Sequence, residues 1–112
     1  MEATLDRSAT LEDVEQFVGR CQQIVTDHHT SNYPKLPVPV LHITEGKRYF
    51  RIMRKDYPTA DSGSAWAFID STNGDVLKPA SWKRPAKHAR GNIFDENEGM
   101  KYMSSYGPAY LR

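Results

Sequence analysis

Residues 10 to 25 carry the pattern that most restricts the fold of this chain. Thr10, with Asp13 three residues later, is typical of a capping box, so we expect an α-helix to begin near Leu11. Polar residues at 27 to 29 are expected to end it. Such a helix must bury its apolar stripe against another element. The stripe follows three- and four-residue spacing and consists of Leu11, Val14, Phe17, Val18, Cys21, Ile24 and Val25.

The next residues favour an extended chain and then a pair of strands. Three prolines at 34, 37 and 39 predict an extended connector over residues 30 to 38, because each fixes φ and removes a backbone donor. Residues 40 to 44 and 47 to 55 flank Glu45 and Gly46, which is typical of a β-hairpin. Alternation predicts that Phe50 and Ile52 face the helix.

A second hairpin is predicted further along. Residues 65 to 70 and 75 to 77 flank the turn sequence Ser-Thr-Asn-Gly at 71 to 74. Alternation in the first of these strands predicts Trp66 and Phe68 on one face, with Ala65, Ala67 and Ile69 on the other. Pro85 suits the first turn of a short basic helix, PAKHAR, ending at Gly91.

Together these patterns predict an α+β fold. An N-terminal amphipathic helix packs on an antiparallel β-meander of about four strands, followed by a short basic helix or loop and an extended C-terminal arm. The length of 112 residues fits a single small domain over residues 1–112, with residues 1–9 and 95–112 as peripheral arms. One cysteine gives no internal disulfide, so stability must come from packing or from self-association into a homo-oligomer.

Charge is unevenly distributed although the formal net charge is only +1. Residues 1 to 34 are acidic, whereas residues 47 to 55 hold five basic side chains and no acidic one. Residues 76 to 94 form a second acid-free basic block. If the two basic blocks share a face, the fold has one positive surface and one negative surface.

The second basic block predicts a site for a phosphate-bearing ligand. Cationic groups donate to phosphate oxygens, and the rings of Trp82 and His88 are suited to stacking on a base. The alternative is a solvated basic loop that only keeps the protein soluble. The predicted ligand-binding residues are Lys78, Trp82, Lys83, Arg84, Lys87, His88 and Arg90, with Arg48 and Arg51 from the first block.

Several classes of chemistry lack their sequence signatures. There is no CxxC or HExxH spacing, no GxSxG and no Walker A loop. We therefore expect no metal, no cofactor and no enzymatic activity. No apolar run reaches the ~18 residues that cross a bilayer, and the acidic N-terminus is unlike a signal peptide, so we expect a cytosolic protein that does not enter a membrane.

Two stretches resemble a known family. The strings FIDSTNGDVLKPASWKRPAKHARGNIFDENEG and SSYGPAYLR, and especially SWKxPAKHARGNI at Ser81 to Ile93, are similar to a widespread set of small uncharacterised proteins of tailed bacteriophages. The resemblance covers most of residues 45 to 112. It implies a phage protein acting in the host bacterial cytoplasm or carried in the virion, and it implies no catalytic residues.

Three functional hypotheses remain open. The first is nucleic-acid binding, and the second is a counter-defence protein that sequesters a small nucleotide signal of the host. The third is a virion or host-protein interaction module, in which a tyrosine-rich tail docks on the partner. Salt dependence separates the first two, since each neutralised phosphate of a polymer releases condensed counterions.

Overall fold

A computed structural model describes residues 8–60, 63–81, 83–101, 103–104 and 107–108. One helix is followed by a five-stranded antiparallel sheet and a two-stranded hairpin, which confirms the predicted α+β fold. The elements are α1 (Leu11–Asn32), β1 (Val40–Glu45), β2 (Tyr49–Lys55), β3 (Ser64–Asp70), β4 (Asp75–Pro79), β5 (Pro85–Asn92), β6 (Met103–Ser104) and β7 (Gly107–Pro108).

The start of α1 is the predicted capping box. The Thr10 hydroxyl accepts from the Asp13 amide at 3.2 Å, and the Asp13 carboxylate accepts from the Thr10 amide at 3.0 Å. The helix ends at Asn32 rather than near His29. Its last turn is closed by the Asn32 side-chain amide, which donates to the His28 carbonyl at 2.8 Å. Polar residues on the outward face therefore do not end the helix.

The sheet has the strand order β1-β2-β3-β4-β5, and both predicted hairpins are confirmed. The inner face of the sheet packs against the buried stripe of α1, and Phe50 and Ile52 lie in this core as predicted. Gln22 of α1 fixes the entry to β1. Its side-chain oxygen accepts from the Leu41 amide at 2.8 Å, and its side-chain nitrogen donates to the Pro39 carbonyl at 2.9 Å.

Strand β3 departs from the predicted alternation. Ile52 pairs with Ala67 whereas Met53 pairs with Ala65, so one residue of β3 is unpaired at Trp66. This bulge lets Trp66 join Ala67 and Ile69 in the core beside the helix. The prediction that Trp66 shares a face with Phe68 was wrong, because a single bulge shifts the register of every residue before it.

The predicted short helix at residues 85 to 90 is a strand. In β5, Ala89 pairs with Leu77 and Asn92 with Asp75 of β4. Pro85 lies at the first residue of this edge strand, a position that does not need its missing N–H. The turn before it is closed by the Ala80 amide, which donates to the Arg84 carbonyl at 2.9 Å. A short hairpin thus satisfies backbone groups that a one-turn helix leaves exposed.

The described ends of the chain lie against the domain. The Ala9 amide donates to the Ser71 carbonyl at 2.9 Å, and Ala9 is buried. Near the C-terminus, β6 and β7 form a hairpin in which Pro108 is fully buried and Met103 packs on the core. The predicted arms over residues 1–9 and 95–112 extend beyond the described residues.

Candidate functional site

The face of the sheet opposite α1 carries Tyr49, Arg51, Met53, Phe68 and Leu77, and is called the helix-free face below. It bears an open concavity of about 370 Å³. The loop between β4 and β5 contributes Lys83, and the turn between β1 and β2 contributes a second group of cations. The concavity, called the basic concavity, is lined by Thr44, Gly46, Lys47, Arg48, Tyr49, Arg51, Phe68 and Lys83.

Strand pairing places the central residues of this concavity in one row. Thr44 of β1 pairs with Arg51 of β2, which pairs with Phe68 of β3. Paired residues of antiparallel strands point to the same face, so Arg51 lies between a hydroxyl and an aromatic ring. Arg51 is half-buried, whereas Lys47 and Lys83 at the rim are exposed.

The cations at the rim are available to a ligand. Among the described residues, neither Lys47 nor Lys83 forms an ion pair or side-chain hydrogen bond. The described lining contains no Asp or Glu. A cluster of like charges around one concavity costs folding energy through mutual repulsion, and an anionic ligand relieves that cost.

Two flat groups lie beside these cations. The Tyr49 ring meets Phe68 edge to face, with the ring centres 6.2 Å apart and the planes at 85°. The guanidinium carbon of Arg48 lies 5.1 Å from the centre of the Tyr49 ring. Tyr49 is half-buried and the Arg48 side chain is 63% exposed. A planar ligand group therefore has a planar partner at the surface.

A turn of the sheet holds Arg48 in place. Asp70, at the end of β3, accepts from the Arg48 guanidinium at 3.1 Å and from the Thr72 hydroxyl at 2.6 Å. The next residue, Ser71, donates to the Arg48 carbonyl from its amide at 2.8 Å and from its hydroxyl at 2.6 Å. The β1–β2 turn is thus tied to the β3–β4 turn, which preorganises the rim.

The carboxylate of Asp70 is ionised in this position. Burial by itself raises its pKa, but hydrogen bonds from the Thr72 hydroxyl and amide and the hydrogen bond and charge of Arg48 outweigh burial. The pKa of Asp70 therefore lies below its ordinary value. The same hydrogen bond and charge raise the pKa of Arg48.

The structure brings together three of the nine predicted binding residues. Lys83, Arg48 and Arg51 line the basic concavity. Lys78 instead donates to the Pro108 carbonyl at 3.0 Å, and Arg90 donates to the His88 carbonyl.

The other predicted residues have different positions. Arg84 is exposed at the end of the turn, and Lys87 and His88 are exposed on the edge strand β5. Trp82 lies outside the described residues. The second basic block therefore does not form one cradle among the described side chains, because a strand sends neighbouring residues to opposite faces.

Five of the described lining residues were absent from the predicted set, namely Thr44, Gly46, Lys47, Tyr49 and Phe68. For Lys47 the sequence held a signal, since it belongs to the acid-free block over residues 47 to 55. For Phe68 and Thr44 it held none, because their positions depend on the register of three strands.

Two further concavities differ from the basic one. A polar concavity of about 270 Å³ beside α1 is lined by Asp13, Gln16, Arg20, Ile93, Phe94, Asp95 and Glu98. An apolar groove of about 300 Å³ contains the exposed rings of Tyr33 and Tyr57 and the exposed Leu36. The charged groups of the groove include Arg54 and Asp56, which pair with each other at 3.1 Å. Neither feature gathers unpaired cations.

The described residues contain no group of three or more His, Cys, Asp or Glu side chains placed to hold a metal ion. Over the same ranges, no helix is long and apolar enough to cross a membrane. The free thiol of Cys21 is buried in the core, and burial raises its pKa to about 12.

Comparison with known proteins gives one match. No curated protein and no solved structure matches the chain. Residues 6–109 match a family of unknown function (DUF7717), so α1, the whole sheet and every residue of the basic concavity lie within the matched region. The chain belongs to this family of unknown function.

Proposed function

We propose that this chain is a non-enzymatic protein that binds a phosphate-bearing ligand in the basic concavity. The observation that carries the proposal is the convergence of Lys47, Arg48, Arg51 and Lys83 on one open site whose described lining has no acidic residue. Charge-assisted hydrogen bonds to phosphate oxygens are among the stronger polar contacts that a protein makes.

Hydrogen bonds within the protein preorganise the β1–β2 turn at the rim of the basic concavity. Asp70 and Ser71 hold the β1–β2 turn through hydrogen bonds of 2.6 to 3.1 Å. A fixed turn loses little conformational entropy when a ligand binds, and this supports affinity. Thr44 adds a hydroxyl that donates to a phosphate oxygen without adding charge.

The wider role follows from the sequence resemblance. Similarity of residues 81 to 93 to proteins of tailed bacteriophages supports a phage protein acting in the cytoplasm of the infected bacterium. Its ligand there is nucleic acid or a small nucleotide, and sequestration of a nucleotide signal of the host is the alternative role.

The test compares two double variants of equal charge. Lys47→Glu with Lys83→Glu reverses two rim cations, whereas Lys35→Glu with Lys55→Glu makes the same change at residues outside the described lining. The probes are a labelled single-stranded oligonucleotide of about 12 nucleotides and labelled ATP, followed by fluorescence anisotropy.

We expect the wild type and the Lys35/Lys55 variant to bind with similar affinity. The Lys47/Lys83 variant should lose about 100-fold or more, since each charge-assisted hydrogen bond contributes roughly 1.5–3 kcal/mol. No binding of either probe by the wild type at about 50 mM salt would refute the proposal. Equal losses in the two variants would also refute it, since they would show attraction by overall charge alone.

A further inference from the structure

We infer that the ligand of the basic concavity is single-stranded nucleic acid, an inference that rests on the proposed function and specifies its ligand. Three observations favour a single strand over a small nucleotide or a duplex. They are the openness of the site, the continuation of unpaired cations beyond it, and the flat groups at its surface.

The site is too open to enclose a small ligand. Pockets for small molecules bury about 70–90% of the ligand surface. Among the lining residues that the structure describes, only Phe68 is buried, whereas Gly46, Lys47, Arg48 and Lys83 are exposed. A mononucleotide in this site keeps much of its surface in water. A polymer compensates for shallow contacts by making several of them.

Cationic residues continue past the edge of the concavity. Arg84 follows Lys83 directly, and Lys87 lies three residues further along the edge strand β5. Both are exposed, and within the described ranges neither forms an ion pair. A nucleic-acid strand that leaves the concavity beside Lys83 therefore meets further cations, which can bind its next phosphates. A mononucleotide has no phosphate to place there.

The flat groups favour unpaired bases. The exposed guanidinium of Arg48 lies over the Tyr49 ring, so the pair presents a planar surface next to the phosphate-binding cations. Bases of a single strand stack on aromatic rings and guanidinium groups, whereas bases of a duplex stack on each other and expose only their edges. The Arg48 and Tyr49 pair contributes to affinity only if the bases are unpaired.

The experiment measures the affinity of the whole chain for three probes. These are an oligo(dT) of about 12 nucleotides, a duplex of the same length, and thymidine monophosphate. We expect the single strand to bind at least about 10-fold more tightly than the duplex at equal salt. Its log affinity should fall linearly with log salt, with a slope of about −2 to −3 if three or four phosphates are neutralised.

Two variants of Tyr49 test whether unpaired bases stack on the Arg48 and Tyr49 pair. Tyr49→Leu should weaken single-strand binding about 10-fold while its effect on duplex binding stays below about 2-fold, and Tyr49→Phe should restore single-strand binding. Thermal unfolding of the variants shows whether a loss reflects misfolding. If Tyr49→Leu fails to fold, the Tyr49→Phe variant and the three wild-type affinities still decide the question.

The failures are distinguishable. Duplex binding as tight as single-strand binding, or thymidine monophosphate bound more tightly than the oligonucleotide, would overturn the inference while leaving a phosphate-binding function in place. Absence of binding to any of the three probes would remove the proposed function as well. Equal losses of single-strand and duplex binding in Tyr49→Leu would contradict the single-strand inference, because they would show that Tyr49 does not act through unpaired bases.

Discussion

The polar concavity beside α1 and the basic concavity on the helix-free face are of similar size, about 270 and 370 Å³, but use their charges differently. In the polar concavity the charged groups bond within the protein. The Asp13 carboxylate accepts from the Thr10 amide at 3.0 Å, Asp95 accepts from the Gly99 amide at 3.0 Å, and Arg20 lies 3.8 Å from Glu98. In the basic concavity Lys47 and Lys83 have no such partner among the described residues.

This difference separates charges that hold the fold from charges presented to a ligand. A charge that is engaged by internal partners contributes mainly to stability, whereas Arg48 does both, since it bonds to Asp70 and its side chain stays 63% exposed to a ligand. A group of like charges without partners contributes nothing to folding and is retained only at a cost. The comparison therefore predicts opposite effects of substitution on the two sides, in stability on one and in affinity on the other.

The largest expected effect on stability belongs to Asp70, which connects the two roles. It is buried and accepts from the Thr72 amide and hydroxyl and from Arg48. Asp70→Ala should lower the free energy of unfolding by about 2–3 kcal/mol, because one buried carboxylate accepts three hydrogen bonds, one of them charge-assisted. Urea denaturation measures the change. A loss below about 0.5 kcal/mol would show that this turn does not hold the rim.

A smaller loss is expected for Asp95 on the polar side. Its carboxylate accepts from the Asn97 amide at 2.9 Å and from the Gly99 amide at 3.0 Å. These bonds hold Gly99 at φ +78° against Phe17 of the core. Asp95→Ala should cost roughly 1–2 kcal/mol and leave oligonucleotide affinity unchanged.

The control for that variant is Glu96→Ala, at an exposed neighbour with no side-chain hydrogen bond among the described residues. It should change stability by less than about 0.5 kcal/mol. A weakened affinity in Asp95→Ala, with the fold intact, would contradict the division of roles between the two concavities.

The pH dependence of stability gives a further test of Asp70. Because the folded state lowers its pKa, the unfolded chain takes up the proton first as the pH falls. The contribution of Asp70 is therefore complete above about pH 4 to 5 and is lost as the pH drops through its folded-state pKa. The stability difference between the wild type and Asp70→Asn should shrink from about pH 6 to about pH 2. A constant difference would show that ionisation of Asp70 contributes nothing.

The fold was more predictable than the site. Thr10, Asp13 and the apolar stripe of α1 act within a few residues of each other, so local spacing was sufficient to place the helix start. The two hairpins carry their own turn residues, and both were predicted. The errors lie where pairing between strands determines the local structure. These places are the bulge beside Trp66 and β5, whose strand conformation depends on pairing with β4.

The candidate site shows the same limit. The acid-free blocks indicated a positive surface, but sequence proximity alone could not show which cations meet. Lys83 lines the same concavity as Arg48 and Arg51, which lie more than thirty residues earlier. Lys78, which belongs to the same basic block as Lys83, instead donates to the Pro108 carbonyl. Strand pairing in the sheet determines the contacts between distant segments, so the spacing of residues within one segment cannot predict them.

The smallest expected effect on stability is the most informative for the comparison. Lys47→Gln with Lys83→Gln removes two rim charges but keeps most of each side-chain stem. Both residues are exposed and have no described partner, so the free energy of unfolding should change by less than about 0.5 kcal/mol. A slight gain is expected, since removing like charges relieves repulsion.

Oligonucleotide affinity should nevertheless fall, because two phosphate contacts are lost. A stability loss above about 1 kcal/mol in urea denaturation would place these lysines among the charges that hold the fold, and the contrast between the two concavities would disappear.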